Sequence, residues 1–240
     1  MKKESVEKLV VVGIYAIAMA FLETAVVVYL RALFYPNGFN FPLVGYLDPV
    51  FLNVEWIREF ATIIMLLTIG YLSAKKFYPK FAYFLYAFAI WDNFYYVFLK
   101  LTLNWPASFL SWDLLFMIPW PWVGPVFAPV VCSFLFIVLA IIIINFYDNK
   151  KEAVFSWKEF SLFGIAVLVV LYTWMIDYAL LIFQKDFALS FFTLNENLDF
   201  IKLVSSYSPN HYNWFLFFIG ILLVLIGIVS FYYRNKKPKL

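Results

Sequence analysis

One cysteine and one histidine are all this chain offers to a thiolate or imidazole metal centre or to a disulfide. Cys132 alone excludes an intrachain disulfide and a cysteine-built zinc site. His211 alone excludes bis-histidine haem ligation and multi-histidine centres. Any metal would need carboxylates, and no cofactor is expected. Charge is scarce as well: 14% of the 240 residues are Asp, Glu, Lys or Arg, against about 25% in soluble domains. There is no phosphate-binding glycine loop, no His-Glu-x-x-His, no Gly-x-Ser-x-Gly and no Asp-Asp-x-x-Asp motif. Those absences argue against nucleotide-driven pumping by this chain and against Ser-His hydrolysis. The eight glycines form no Gly-x-x-x-Gly packing face.

What the chain has instead is hydrocarbon. Apolar residues make up 65% of it, and the mean hydropathy is +0.85. A span needs about 20 apolar residues, and six runs qualify, at 9–33, 55–74, 82–103, 125–147, 161–183 and 213–233. The expected fold is all-α: a polytopic integral membrane protein with six transmembrane helices and interfacial or re-entrant outer segments, in a plasma (inner) membrane. Ala18-Met19-Ala20 could pass for a secretory cleavage site, but the apolar run continues to Leu33, so an uncleaved first span is expected.

The net charge of +3 hides an asymmetry. Thirteen of the eighteen bases fall in four segments: Lys2, Lys3 and Lys8; Lys75, Lys76 and Lys80; Lys150, Lys151 and Lys158; Arg234, Lys236, Lys237 and Lys239. These segments alternate with the remaining connections. Short basic loops stay cytoplasmic, so both the N and C termini are expected inside, with three hairpins reaching outward. The basic clusters are read as a topology signal, and no nucleic acid partner is expected.

The outer connections carry their own signals. In 34–53, Tyr35-Pro36-Asn37-Gly38 and Asp48-Pro49 form turns, and Phe39, Phe41, Leu43, Val44, Tyr46 and Leu47 imply folding back onto the membrane surface. Asn53 reads as the N-cap of the second span. In 104–122 a short apolar helix capped by Ser108 is expected, stopped by Pro119 and Pro121, with four tryptophans at headgroup depth. In 184–212 an amphipathic surface helix is expected over 195–204, and nearby Phe187, Leu189, Phe191 and Phe192 are also apolar. A single domain, 1–240, should result, and three helical hairpins (1–78, 79–150, 151–240) are its candidate subdivisions.

Charges inside the spans mark the candidate site. Glu23/Arg31, Asp92/Lys100 and Asp177/Lys185 each set an acid eight residues before a base in the odd-numbered spans. Val28-Tyr29-Leu30-Arg31 before Tyr35-Pro36 also matches Val97-Phe98-Leu99-Lys100 before Trp105-Pro106, as a repeat would. Eight residues are about 12 Å along a helix and roughly 80° around it, so acid and base on one span cannot pair with each other. Pairing between spans is expected, for instance Glu23 with Arg58 or Lys100. Buried ionisable groups cost several kcal/mol and commonly face a protein interior or cavity. The expected binding site is Glu23, Arg31, Arg58, Glu59, Asp92, Tyr95 and Lys100, with Asp113 and Asp177 at its margin. Packing alone could also explain these groups, and Lys185 could simply snorkel to the interface. Glu55, Glu59 and Asp113 could sit at one depth, but helix capping and a Glu55/Arg58 pair account for them without metal.

Three functions fit this pattern. One is binding or translocation of a small anionic or amphipathic solute or lipid, with Arg31, Arg58 and Lys100 attracting it. The second is a membrane-embedded enzyme acting on a lipid or isoprenoid, with Asp92 or Glu23 as general acid. The third is a non-catalytic subunit or assembly factor of a larger membrane complex. An elongated apolar cavity ending at carboxylates would favour the second, and a water-filled vestibule would favour transport. Expected partners are membrane lipids, such a ligand, and a membrane-protein partner or a second copy of the chain.

Overall fold

The structure, a computed structural model, describes residues 1–43, 49–184, 187 and 197–236. Lys185, the turn at Asp48, and Leu189, Phe191 and Phe192 lie outside the described residues, as do the loop residues Val44, Tyr46 and Leu47. Among the described residues six long helices dominate: α1 (Lys3–Phe34), α2 (Pro49–Ser73), α3 (Phe77–Leu103), α4 (Phe127–Asp148), α5 (Trp157–Ile182) and α7 (Trp214–Lys236). Between α3 and α4 stands a two-stranded hairpin, β1 (Trp112–Phe116) and β2 (Trp122–Pro125), and α6 (Leu198–Ser206) is a short helix before α7.

Four of these helices, α1, α4, α5 and α7, are long and apolar enough to cross a membrane. At 1.5 Å per residue α2 and α3 are comparably long, about 37 and 40 Å. Their sequences are diluted by Glu55, Arg58 and Glu59 in α2 and by Asp92, Asn93 and a run of tyrosines in α3. The six helices alternate in direction between two ends of the bundle. One end gathers the N-terminal amine, 3.2 Å from Asn145 Oδ1, the Ser5 hydroxyl, 2.6 Å from Asp148, and Lys151 Nζ, 2.9 Å from the Lys236 carbonyl. The chain's two described ends therefore share that side. The hairpin, α6 and the 35–43 segment gather at the other.

Packing follows the rules of a bundle in lipid. With hydrocarbon outside, helices gain little by burying apolar area and adhere through close contact of small residues. Ala16, Ala20, Ala82, Ala87, Ala89, Ala128, Ala140 and Ala166 are fully buried, while Val11, Ile14, Leu22, Leu72 and Leu168 face outward. Gly70 permits a close approach of α2 to α3, since an added Cβ would come within 2.9 Å of the Lys80 carbonyl oxygen. α3 is the hub, packed along α1, α2 and α4, while α5 packs along α7 and touches β2. The hub position sets α3 against both sequence neighbours and α1, which sequential hairpins alone would not require.

Two local expectations change. The 104–122 segment holds a β-hairpin where a short helix was expected. Asp113 pairs with Gly124 and Leu114 with Val123 in antiparallel register. Pro119 and Pro121 forbid a helix from continuing, which would strand its last carbonyls, whereas strand pairing satisfies the backbone locally. Backbone bonds from Val126 N–H to Ser111 O and from Phe127 N–H to Phe109 O seal its base. The hairpin's non-helical backbone is sheltered, since Asp113, Met117, Val123, Gly124 and Val126 are buried in protein. Asn53 is also no cap, because α2 starts a turn earlier at Pro49, a residue suited to the first helical position. The surface helix expected over 195–204 is α6, with Asn197 as N-cap accepting from the Asp199 and Phe200 N–H groups.

The hairpin end has its own small core. Leu43 from the first connection, Val123 from β2, Tyr178 and Ile182 from α5, and Phe200 and Val204 from α6 pack together. This aromatic cap sits over the polar interior.

Candidate functional site

Arg58, on the buried face of α2, is the hub of a cluster of charges. Its guanidinium bonds Glu55 Oε2 at 2.9 Å through Nε and 2.7 Å through Nη2, reaches Glu23 on α1 through Nη1, and lies 3.9 Å from Glu59 Oε1. Glu59 Oε2 accepts the Met117 backbone N–H at 2.9 Å, which ties α2 to the turn of the hairpin. Thr62, one turn after Arg58, donates to the Arg58 carbonyl at 3.0 Å and lies 3.3 Å from Glu23 Oε2. Every acid here is thus held by a partner from its own first turns or from another element.

A second pair lies alongside. Arg31 Nη2 donates to Asp113 Oδ1 at 3.1 Å, and the Tyr96 hydroxyl donates to Asp113 Oδ2 at 3.2 Å. The Arg31 guanidinium is stacked over Trp105 at 3.8 Å and Phe39 at 4.4 Å from the ring centroids, so two aromatic faces replace its lost water. Burial pushes Asp113 up to about 6, opposed by Arg31, Tyr96 and the Leu114 N–H.

Deeper along α3 stands Asp92, whose Oδ2 accepts the Ser133 hydroxyl of α4 at 2.7 Å. Among the described residues no basic side chain pairs with it. Phe88, Asp92 and Tyr96 recur at four-residue spacing and therefore share one face of the helix. That face borders a cavity.

The cavity encloses about 370 Å³, within the roughly 300–1,000 Å³ of small-molecule sites. It is elongated: its lining runs from Phe88 to Tyr96 on α3 and from Ala166 to Trp174 on α5, about 12 Å in each case. Toward the hairpin its wall carries Glu23, Arg31, Glu55, Arg58, Glu59 and Asp113, set among apolar residues such as Leu30, Phe34, Leu43, Phe51 and Leu52. Toward the termini it is hydrocarbon, from Phe88, Leu135, Phe136, Val170, Leu171, Ile221 and Val224. Val167 lines it too and is 49% exposed, so the apolar arm reaches the outer face of α5 near mid-helix. Asp92 and Tyr95, deep in the bundle, keep accessible surface because they border this space.

Of the residues singled out from sequence, Glu23, Arg31, Arg58, Glu59, Asp92, Tyr95 and Asp113 line this one cavity. Lys100 and Asp177 do not. Lys100 is exposed and donates to the Asn104 and Pro106 carbonyls, serving the end of α3. Asp177 accepts the Tyr207 hydroxyl at 2.5 Å, joining α5 to the segment after α6. Sequence reading did not bring Thr62, Ser133, Trp174 or the Met117 N–H to the site, and placed Trp105 and Trp122 only at headgroup depth. Thr62 had a signal, one turn from Arg58 on the same helix face. Ser133 had only its place as a hydroxyl within an apolar span.

Among the described residues no three His, Cys, Asp or Glu side chains converge to hold a metal ion. Arg58 fills the space among the three glutamates. No protein-family model matches the chain, and no curated protein or solved structure does either.

Proposed function

We propose that this membrane-like helical protein binds an amphipathic, lipid-like molecule in the cavity, with its polar head among the charged groups near the hairpin and its hydrocarbon in the apolar arm. One observation carries this reading: a single space gathers its charged groups toward the hairpin and is hydrocarbon toward the termini, and we take Val167, which lines it and is exposed on a surface that would face lipid, as its portal. A ligand arriving from the bilayer would need no aqueous route. In this reading α2 and α3 also cross the membrane, giving six spans with both termini cytoplasmic, as the basic segments at the terminal end favour. The buried charges are costly unless paired, and their position beside a cavity fits binding better than packing alone.

The anionic alternative weakens on this geometry. Arg31 and Arg58 are already engaged with acids, and Lys100 lies outside the cavity. A membrane enzyme acting on the same kind of molecule is the second reading, favoured by the elongated apolar space that ends at carboxylates and by Asp92 facing it. Native mass spectrometry of gently extracted protein tests the proposal. A co-purifying amphiphile, lost when Val167→Trp fills the portal, is expected; equal retention by both proteins, or no bound molecule, would overturn it. Incubation of the loaded protein separates the readings, since an enzyme would change the mass of what it carries.

A further inference from the structure

We infer that the molecule held in this cavity carries a protonated amine seated against Asp92, with its hydrocarbon in the apolar arm. The inference rests on the binding reading above and names the class of head group.

The first ground is charge. Five carboxylates, Glu23, Glu55, Glu59, Asp92 and Asp113, line the space against two guanidiniums, those of Arg31 and Arg58. Each guanidinium already bonds at least one of these acids, so an anionic head would face an excess of acidic groups. A cationic head would offset it. The second ground is position. Asp92 stands one turn from Phe88, at the apolar arm, and one turn from Tyr96, which bonds Asp113 in the charged end. It marks the boundary where the head of an amphiphile must stop. Its contact with Ser133 leaves it without a basic partner among the described residues.

The surroundings suit a cation and are incomplete without a ligand. Trp91 and Tyr95 flank Asp92 on α3 and line the cavity, and aromatic faces attract ammonium groups. Two wall residues that are each 8% exposed, Trp91 and Arg31, hold a buried N–H group (Nε1 and Nη1) with no hydrogen-bond partner among the described residues. Buried donors are normally satisfied. An ammonium nitrogen has no lone pair to offer these donors, so the acceptor would be a hydroxyl or other oxygen carried beside the amine.

The test compares dodecylamine, dodecanol and dodecyl phosphate in competition, read by native mass spectrometry of the detergent-solubilised protein. The amine should bind about tenfold or more tightly than either of the other two, the scale of one good ion pair. Asp92→Asn should remove that preference while leaving dodecanol binding intact, and Lys100→Gln, outside the cavity, should leave the ranking unchanged. Should Asp92→Asn fail to fold, the ranking in the unmodified protein decides alone. Equal binding of all three heads, or preference for the phosphate, with Val167→Trp still blocking them, would overturn the amine while sparing the amphiphile site. Binding of none of the three would overturn both.

Discussion

At the scale of single residues, the account turns on what each buried charge would do without its partner. Arg58 holds Glu23, Glu55 and Glu59 together, so Arg58→Ala leaves three crowded carboxyls without their shared cation. Removing one partner of a buried ionic group costs about 3–5 kcal/mol, and thermal unfolding in detergent should register a loss of that order. Glu23→Gln should cost far less, because its amide oxygen can still accept from Arg58. Asp113 gives a pH signature. Its folded value of about 6 lies above the ordinary 3.8, raised first by burial. The folded protein therefore takes up this proton before the unfolded chain does. Stability from this group is full below about pH 4 and is lost as pH rises through about 6. The slope of unfolding midpoint against pH in that window should flatten in Asp113→Asn. Sequence made Glu23, Arg31, Arg58 and Asp92 visible as charges where lipid forbids them. It could not show that Arg31 meets Asp113, 82 residues away, because nothing local encodes a contact across that separation.

At the scale of elements, close approach and backbone satisfaction decide what forms. Gly70 lies against α3, and Gly70→Ala would press a methyl group into the Phe84 and Lys80 backbone. A loss of about 1–3 kcal/mol is expected, the usual range for overpacking. Gly164, where an added methyl would meet nothing within 4 Å, is the control, and its alanine variant should change stability by under about 1 kcal/mol. The long helices were legible because lipid demands about 20 apolar residues in a row. The 104–122 hairpin was not. Its apolar run permits helix or strand, and the choice went to strands because Pro119 and Pro121 close a turn and β2 supplies the backbone partner. The Asn53 boundary misled for a related reason: a good capping residue competes poorly with Pro49, which starts the helix a turn earlier.

At the scale of the whole molecule, the proposed six spans put both termini in the cytoplasm, as the basic segments at their shared end favour. In a Cys132→Ala background, Lys75→Cys and Lys150→Cys should react with a membrane-impermeant thiol reagent from the cytoplasmic side only, and Ser108→Cys from the opposite side only. Labelling of Lys75→Cys and Ser108→Cys from one side would mean that α3 does not cross. The architecture also explains why its interior can be polar at all: α3, packed on three sides by α1, α2 and α4, carries Asp92, Tyr95 and Tyr96 away from lipid.

The central claim is that this interior holds an amphiphile lengthwise, head toward the hairpin and tail toward Val167. An experimental density map of the protein in lipid nanodiscs tests it most directly. Continuous elongated density from Asp92 along Phe88 and Val170 is predicted, absent in a map of Val167→Trp. A cavity holding only scattered water, or closed by side chains with the charged cluster unchanged, would contradict the account.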